Sequence, residues 1–393
     1  MTADRPPVVP DPVPAAAAAR HPHVLPKLAD PAAPLLVVDN LTTTFSLEGA
    51  SVSAVDGVSF RLNDGEALGI AGESGCGKTT TALSLIRLLP PNGRISAGSV
   101  NFHGTDLVTK SDLALLRYRW REISIVFQGA MNALNPVQRV GEQIAEPIEL
   151  RLGESRDASM VRARELLELV GIPEQRAQAY PHELSGGMRQ RAMIAMALAC
   201  DPKIMIGDEP TTALDVMVQA QILQLLERLR RDLGLALILI THDLSVIAET
   251  CERAMVMYAG RVAEEGPVRR IFTAPRHPYT AKLLSAFPNI HADRRTLDTI
   301  PGLPPDLRNP PSGCRFHPRC PVAMAVCKDV VPPEVVFPDG VRVACHLHPA
   351  GTNGGIVATM ESIAARTSGP GGTPDRAAAV VGSLAATPGA TAS

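Results

Sequence analysis

Residues 66–80 read EALGIAGESGCGKTT: an apolar run, a glycine-rich turn, and a lysine followed by two threonines. The run has the length and composition of a buried strand, and the residues from Thr79 to Leu89 have those of a helix. A turn of this kind lets the main-chain amides of Gly72, Ser74, Gly75, Cys76 and Gly77 wrap a phosphate at a helix N-terminus, where the dipole favours anions. Lys78 is expected to reach the β- and γ-phosphates of a nucleotide. Thr79, with Thr80 beside it, is expected to face Mg²⁺. The Cys76 side chain reads as a small residue tolerated in the loop, with no chemistry of its own.

Further along, KIMIGDEP (203–210) and ALILITHD (236–243) read as two buried strands, separated by the helix-like VMVQAQILQLLERLRRDLG (216–234). This alternation predicts an α/β fold with a parallel sheet. The first of these strands ends in adjacent carboxylates, where Asp208 is placed to hold the Mg²⁺ shell and Glu209 to polarise an attacking water. Upstream, residues 35–45 and 54–62 read as strands. Residues 159–170 carry Val161, Leu166, Leu167 and Val170 at helical spacing, and Ser185 caps a helix beginning GGMRQR.

Composition narrows the class without naming a partner. The 393 residues suffice for one large domain or two ordinary ones, and 38 basic against 40 acidic side chains leave a net charge of -2, which attracts neither nucleic acid nor anionic lipid globally. The longest dense apolar run, Leu233–Thr241, falls well short of the roughly 20 residues that a membrane-spanning helix needs. The start is Pro/Ala-rich without the form of a secretion signal, so a cytoplasmic protein is expected, with residues 1–34 a disordered leader. Pro becomes frequent again after about Phe272, and four of the seven cysteines lie between Cys314 and Cys345. Residues 273–350 are therefore expected to be a separate C-terminal module, and 351–393 a disordered tail.

Between the phosphate loop and the acid pair lies Leu184-Ser185-Gly186-Gly187-Met188-Arg189-Gln190, which resembles the signature sequence of ABC ATPases. Ser185, Gly186 and Gly187 open a helix and offer a second anion-binding N-terminus. By the resemblance, the phosphate they bind belongs to the opposite subunit's ATP. Other positions match in order: Gln128 in IVFQ resembles the Q-loop glutamine, Ala213-Leu214-Asp215 the D-loop, and His242 in LITHD the switch histidine. The resemblance implies that Gln128 senses the γ-phosphate and Mg²⁺ and relays to a membrane partner, and that His242 contacts the γ-phosphate. Phe45 stands where the family's aromatic stacks on adenine, with core packing the competing reading. The fold implied is a P-loop NTPase core of the ABC ATPase type over residues 35–272, with a helical subdomain at about 129–190.

Cys314, Cys320, Cys327 and Cys345 are separated by five, six and seventeen residues. Structural zinc sites bring paired cysteines closer, whereas iron-sulfur clusters accept wider spacing, and a cytoplasmic setting disfavours disulfides. With RHPYTAKLLSAFP (276–288) and IPGLPPDLRNPPSGC (300–314), the module resembles the C-terminal extension of oligopeptide and dipeptide importer ATPases. Some of these carry a 4Fe-4S cluster on four cysteines, so a cluster, zinc and metal-free thiols all stay open here, and any metal would act structurally before acting in redox. His317, His346 and His348 read as solvated loop residues, and Cys200 and Cys251 as small buried ones.

The resemblance implies an ATP-hydrolysing importer subunit on the cytoplasmic face of a bacterial membrane, peripheral and energising uptake of dipeptides or oligopeptides. Nickel chelates and antimicrobial peptides are the alternative cargoes. Its implied partners are a second ATPase subunit, itself or a paralogue, in a head-to-tail dimer, two transmembrane permeases, and indirectly an extracytoplasmic peptide-binding protein. A soluble ABC ATPase acting on DNA or ribosomes typically adds a long coiled coil or a second cassette, and this chain shows no sustained heptads and one motif set. A sensor using ATP only as a switch is disfavoured by the intact Glu209 and His242.

Overall fold

The computed structural model describes residues 33–47, 50–129, 133–212, 214–286 and 300–348. The bulk of the expected leader and tail, and Ala213 of the D-loop, lie outside these residues.

The sheet that carries the motifs has eight strands, in the order β11 (Glu334–Val336), β12 (Arg342–Ala344), β10 (Arg261–Pro267), β9 (Arg253–Tyr258), β3 (Ala67–Ala71), β8 (Ala236–Ile240), β7 (Ile204–Asp208) and β6 (Ile123–Val126). Five of them run parallel: β6 (Ile123–Val126), β7 (Ile204–Asp208), β8 (Ala236–Ile240), β3 (Ala67–Ala71) and β9 (Arg253–Tyr258). Their side chains alternate between two cores. Ile204, Ile206, Ile238 and Ile240 enter one, and Met205, Leu237 and Leu239 the other. Burial on both faces explains why these strands read as unbroken apolar runs instead of alternating ones.

A second, antiparallel sheet of β1 (Leu36–Leu47), β2 (Ala50–Leu62), β4 (Gly93–Phe102) and β5 (Thr105–Asp106), in the order β2-β1-β4-β5, covers one of these cores. The other core is covered by helices, among them Val140–Leu152, Arg156–Leu169 and Gly186–Ala197. The first of these escapes sequence reading because Pro147 sits inside it. Cys200 is buried as expected, and its thiol donates to the Pro147 carbonyl at 3.4 Å.

Helix boundaries follow local chemistry. The helix after the phosphate loop spans Lys78–Leu85 and is shorter than expected, since the chain turns at Arg87 (φ 51°) ahead of Pro90. Arg156–Leu169 starts earlier than its apolar spacing indicates because Ser155 caps it, accepting the Ala158 N–H.

The C-terminal segment is built onto the edge of the main sheet. Strand β12 (Arg342–Ala344) pairs antiparallel with β10 (Arg261–Pro267), and β11 (Glu334–Val336) pairs with β12, so the extension prolongs the main sheet. Its side chains join the core too, since Phe316, Phe337, Val343 and Cys345 pack in the same cluster as Val256 and Tyr258. A segment poor in apolar residues gains its burial by annexing an existing sheet edge.

Candidate nucleotide site

Four motifs sit at the carboxyl ends of four adjacent parallel strands: the glycine-rich loop after β3, Thr241-His242 after β8, Asp208-Glu209 at the end of β7, and Gln128 just beyond β6. Open α/β sheets bind their ligands at this edge.

The loop's glycines have steric causes. Gly72 (φ 148°) lies so close to the Met257 carbonyl that a Cβ would stand 2.2 Å from its oxygen, and at Gly77 (φ 106°) a Cβ would meet the Ala54 oxygen at 2.4 Å. Either clash would open the loop. Lys78 is buried, and its ammonium donates to the Gly72 carbonyl at 2.7 Å and the Glu73 carbonyl at 3.0 Å. Cys76 is buried beneath the loop, and desolvation pushes its thiol pKa up, which keeps it protonated and inert.

Thr79 Oγ1 donates to Asp208 Oδ1 at 3.2 Å. Burial raises the Asp208 pKa, the Thr79 hydroxyl lowers it, and neighbouring Glu209 raises it further. A hydroxyl and a buried carboxylate side by side are oxygen donors suited to Mg²⁺, whose charge would offset the cost of desolvating Asp208.

Glu209 occupies the left-handed region at φ 47°. That conformation is uncommon for a residue with a side chain and turns the chain sharply after the strand. Its carboxylate gathers three partners. Gln128 Nε2 donates to Oε2 at 2.8 Å, Thr212 Oγ1 donates to the same oxygen at 2.9 Å, and His242 Nδ1 lies 3.3 Å from Oε1. Thr212 was not singled out in the sequence; its place three residues after Glu209 is the only signal that could have found it.

Ser185 caps the helix Gly186–Ala197, its Oγ accepting the Met188 N–H at 3.3 Å, and Gly187 lies against Val218. Asp215 likewise caps the helix Val216–Leu233. Phe45 is half-buried, belongs to neither core, and its ring lies over Gly93, where a Cβ would meet it at 2.8 Å.

Cys314, Cys320, Cys327 and Cys345 line one small cavity with His277, Phe316 and Met324. Yet among the described residues no three His, Cys, Asp or Glu side chains converge on a metal-ion position. Burial pushes the Cys320 thiol up to about 11 and Cys345 up to about 12, so neutral thiols face an apolar cavity. The nearby histidines are committed elsewhere. His317 Nδ1 lies 2.9 Å from the Cys314 carbonyl oxygen, His346 Nε2 2.8 Å from that of Val330, and His348 Nε2 3.0 Å from that of Arg276. His348 is buried, against the expectation of a solvated loop residue.

Fold and site together define an ATPase of the ATP-binding cassette class. A family profile described as "ABC transporter" matches residues 55–212, and one described as "Oligopeptide/dipeptide transporter, C-terminal region" matches residues 263–327. The oligopeptide transport ATP-binding protein OppD of Salmonella typhimurium is 48% identical over 317 residues, covering 80% of this chain and 94% of that one. A probable peptide ABC transporter ATP-binding protein of Sinorhizobium fredii is also 48% identical, over 79% of this chain and 94% of its own. Among solved structures, a dimeric ATP-binding cassette in a post-hydrolysis state bound to ADP and Pi superposes with a TM-score of 0.54 at 30% identity, covering 59% of this chain and 98% of that one. The chain belongs to the ABC transporter ATP-binding family, in the branch that carries the oligopeptide/dipeptide transporter C-terminal region.

Proposed function

We propose that this chain hydrolyses ATP to energise the import of dipeptides or oligopeptides. The observation that carries the hydrolytic reading is Glu209, fixed at the strand edge by Gln128 and Thr212 with His242 on its other oxygen. Glu209 accepts a proton from the attacking water, Gln128 orients the carboxylate, and His242, largely exposed, reaches towards the γ-phosphate. The loop amides and Lys78 bind the phosphates, Phe45 stacks on adenine, and Thr79, Asp208 and Gln128 hold Mg²⁺. That ion supplies charge neutralisation on the β- and γ-oxygens.

Ser185, Gly186 and Gly187 act on a nucleotide bound by a second ATPase subunit in a head-to-tail dimer. Supporting this, Val216 and Met217 stand 79% and 72% exposed at the start of the helix against which Gly187 packs. An exposed apolar pair at this helix start suits a partner surface. The chain works peripherally on the cytoplasmic face of the membrane beside two permease subunits, a reading supported by its similarity to oligopeptide transport ATP-binding proteins; no described helix is long and apolar enough to cross a membrane.

For the cysteine module, the reading we favour is a 4Fe-4S cluster held by Cys314, Cys320, Cys327 and Cys345. What supports it is that the four thiols line one cavity and that iron-sulfur clusters accept more widely spaced cysteines than structural zinc sites do. When bound, the cluster supplies a crosslink within a small, apolar-poor segment.

The cargo is tested by deleting the gene in the source cell and following uptake of a labelled tripeptide. Lost uptake, restored by the wild-type chain, supports the proposal. Unchanged peptide uptake with lost nickel uptake would move the cargo to a metal chelate.

A further inference from the structure

The C-terminal extension reaches the phosphate loop through a residue that sequence reading passed over. Arg319, buried and immediately before Cys320, donates from Nη1 to Glu73 Oε2 at 2.6 Å and from Nη2 to Glu73 Oε1 at 2.9 Å. Glu73 is the second residue of the glycine-rich loop. Its amide donates to Tyr279 Oη at 2.9 Å, and its carbonyl accepts from Lys78 Nζ at 3.0 Å. The carboxylate and the amide of Glu73 are thus both held from the extension, while its carbonyl holds the phosphate-binding lysine.

The anchors themselves are fixed. The remaining Arg319 donors reach the carbonyls of Pro301 and Gly302 and the Tyr258 hydroxyl. Tyr279 is fully buried, with ring centroids 4.6 Å from Tyr258 and 5.3 Å from Phe316. A second arginine of the same segment, Arg315, donates to the Ala259 carbonyl and pairs with Asp56. The next amide, that of Gly260, donates to the Cys76 carbonyl at 2.9 Å. The stretch from Cys314 to Cys320 therefore touches the loop or its immediate support at both ends.

We infer that the cysteine-rich extension positions the phosphate loop: Arg319 and Tyr279 hold Glu73, and through Glu73 they set the main-chain geometry that receives the nucleotide. A bidentate guanidinium–carboxylate pair fixes orientation as well as distance, which a lone surface contact does not. Arg319 is a positioning residue and touches no nucleotide. The inference rests on the phosphate-loop reading and extends it to a segment absent from the minimal cassette.

The test measures the dissociation constant for MgATP by calorimetry on the full chain, together with nucleotide-free melting. Glu73→Gln and Arg319→Lys each keep a hydrogen-bonding side chain but break the fork, and each should weaken MgATP binding roughly ten-fold, the scale of one charge-assisted hydrogen bond. Because they break one interaction, the double variant should bind no more weakly than the poorer single. Arg342→Lys is the control: it loosens the extension at its pairs with Glu265 and Glu334, away from the loop, and should lower the melting temperature while leaving affinity intact. Singles within about two-fold of wild type, or a double whose losses multiply, would overturn the inference. So would Arg342→Lys weakening binding as much as Arg319→Lys. If instead Lys78→Ala bound MgATP like the wild type, the loop reading itself would fail, which separates the two outcomes.

Discussion

Gln128 Nε2 and Glu209 Oε2 lie 2.8 Å apart, joining the end of β6 to the end of its parallel neighbour β7. Gln128 opens the stretch leading to the helices that cover one core, so a shift there reaches the carboxylate directly. Glu209→Gln should retain MgATP binding and lower steady-state phosphate release from the assembled transporter by about a hundred-fold or more, the usual worth of a positioned general base. Undiminished turnover would remove Glu209 from the water-polarising role.

Lys78 brings a buried ammonium to the loop, where it donates to the main-chain carbonyls of Gly72 and Glu73, contacts that a phosphate would replace. Lys78→Ala should weaken nucleotide affinity itself, by at least about ten-fold given the strength of charge-assisted contacts to phosphate. Calorimetric titration with MgATP reads this directly, and an unchanged affinity contradicts the assignment.

The proposed cluster carries a metal content that can be measured. Protein purified without oxygen should carry about four irons and four acid-labile sulfides per chain with visible absorption. Cys320→Ser should lose that metal and lower the melting temperature of the extension. Zinc, or no metal with an unchanged melting profile, would leave the ATPase standing and remove the cluster.

Glu264 gives a pH signature. It is buried on β10, where its carboxylate accepts the N–H groups of Arg276 at 2.7 Å and His277 at 3.0 Å, but desolvation still pushes it from 4.5 up to about 7. The folded state holds its proton more tightly than the unfolded chain, so this group's stabilisation is full below pH 4.5 and is lost as pH rises through 7. Buried His277 acts oppositely: desolvation lowers it from 6.5 to about 3, so its contribution is present above 6.5 and lost as pH falls through 3. The difference in melting temperature between wild type and Glu264→Gln isolates the carboxyl and should drift against the wild type from pH 4.5 to 7.5. A flat difference would place Glu264 at an ordinary pKa.

Much of the site was legible because its chemistry is local. The loop from Gly72 to Thr79 is a turn whose glycines, lysine and threonine sit within a few residues of one another, and Asp208-Glu209 are adjacent. Ser185 announced itself as a helix cap, a role set by the next three residues. Strands β7 and β8 were readable from composition, whereas the helix holding Pro147 was hidden by a residue that ordinarily breaks helices.

What the sequence by itself determined is the kind of machine: a phosphate loop, an acid pair, a signature and their order, each encoded in short stretches whose backbone preferences need no distant partner. The tertiary structure alone decided which distant groups share an atom. Thr212, Gln128 and His242 meet on one carboxylate because three parallel strands end at the same edge. Arg319 meets Glu73 across 246 residues of chain, where Phe316 and Tyr279 of the extension pack on Tyr258 at the end of β9. Contacts of that separation are fixed by sheet pairing and core burial, whose register no local pattern of residues specifies.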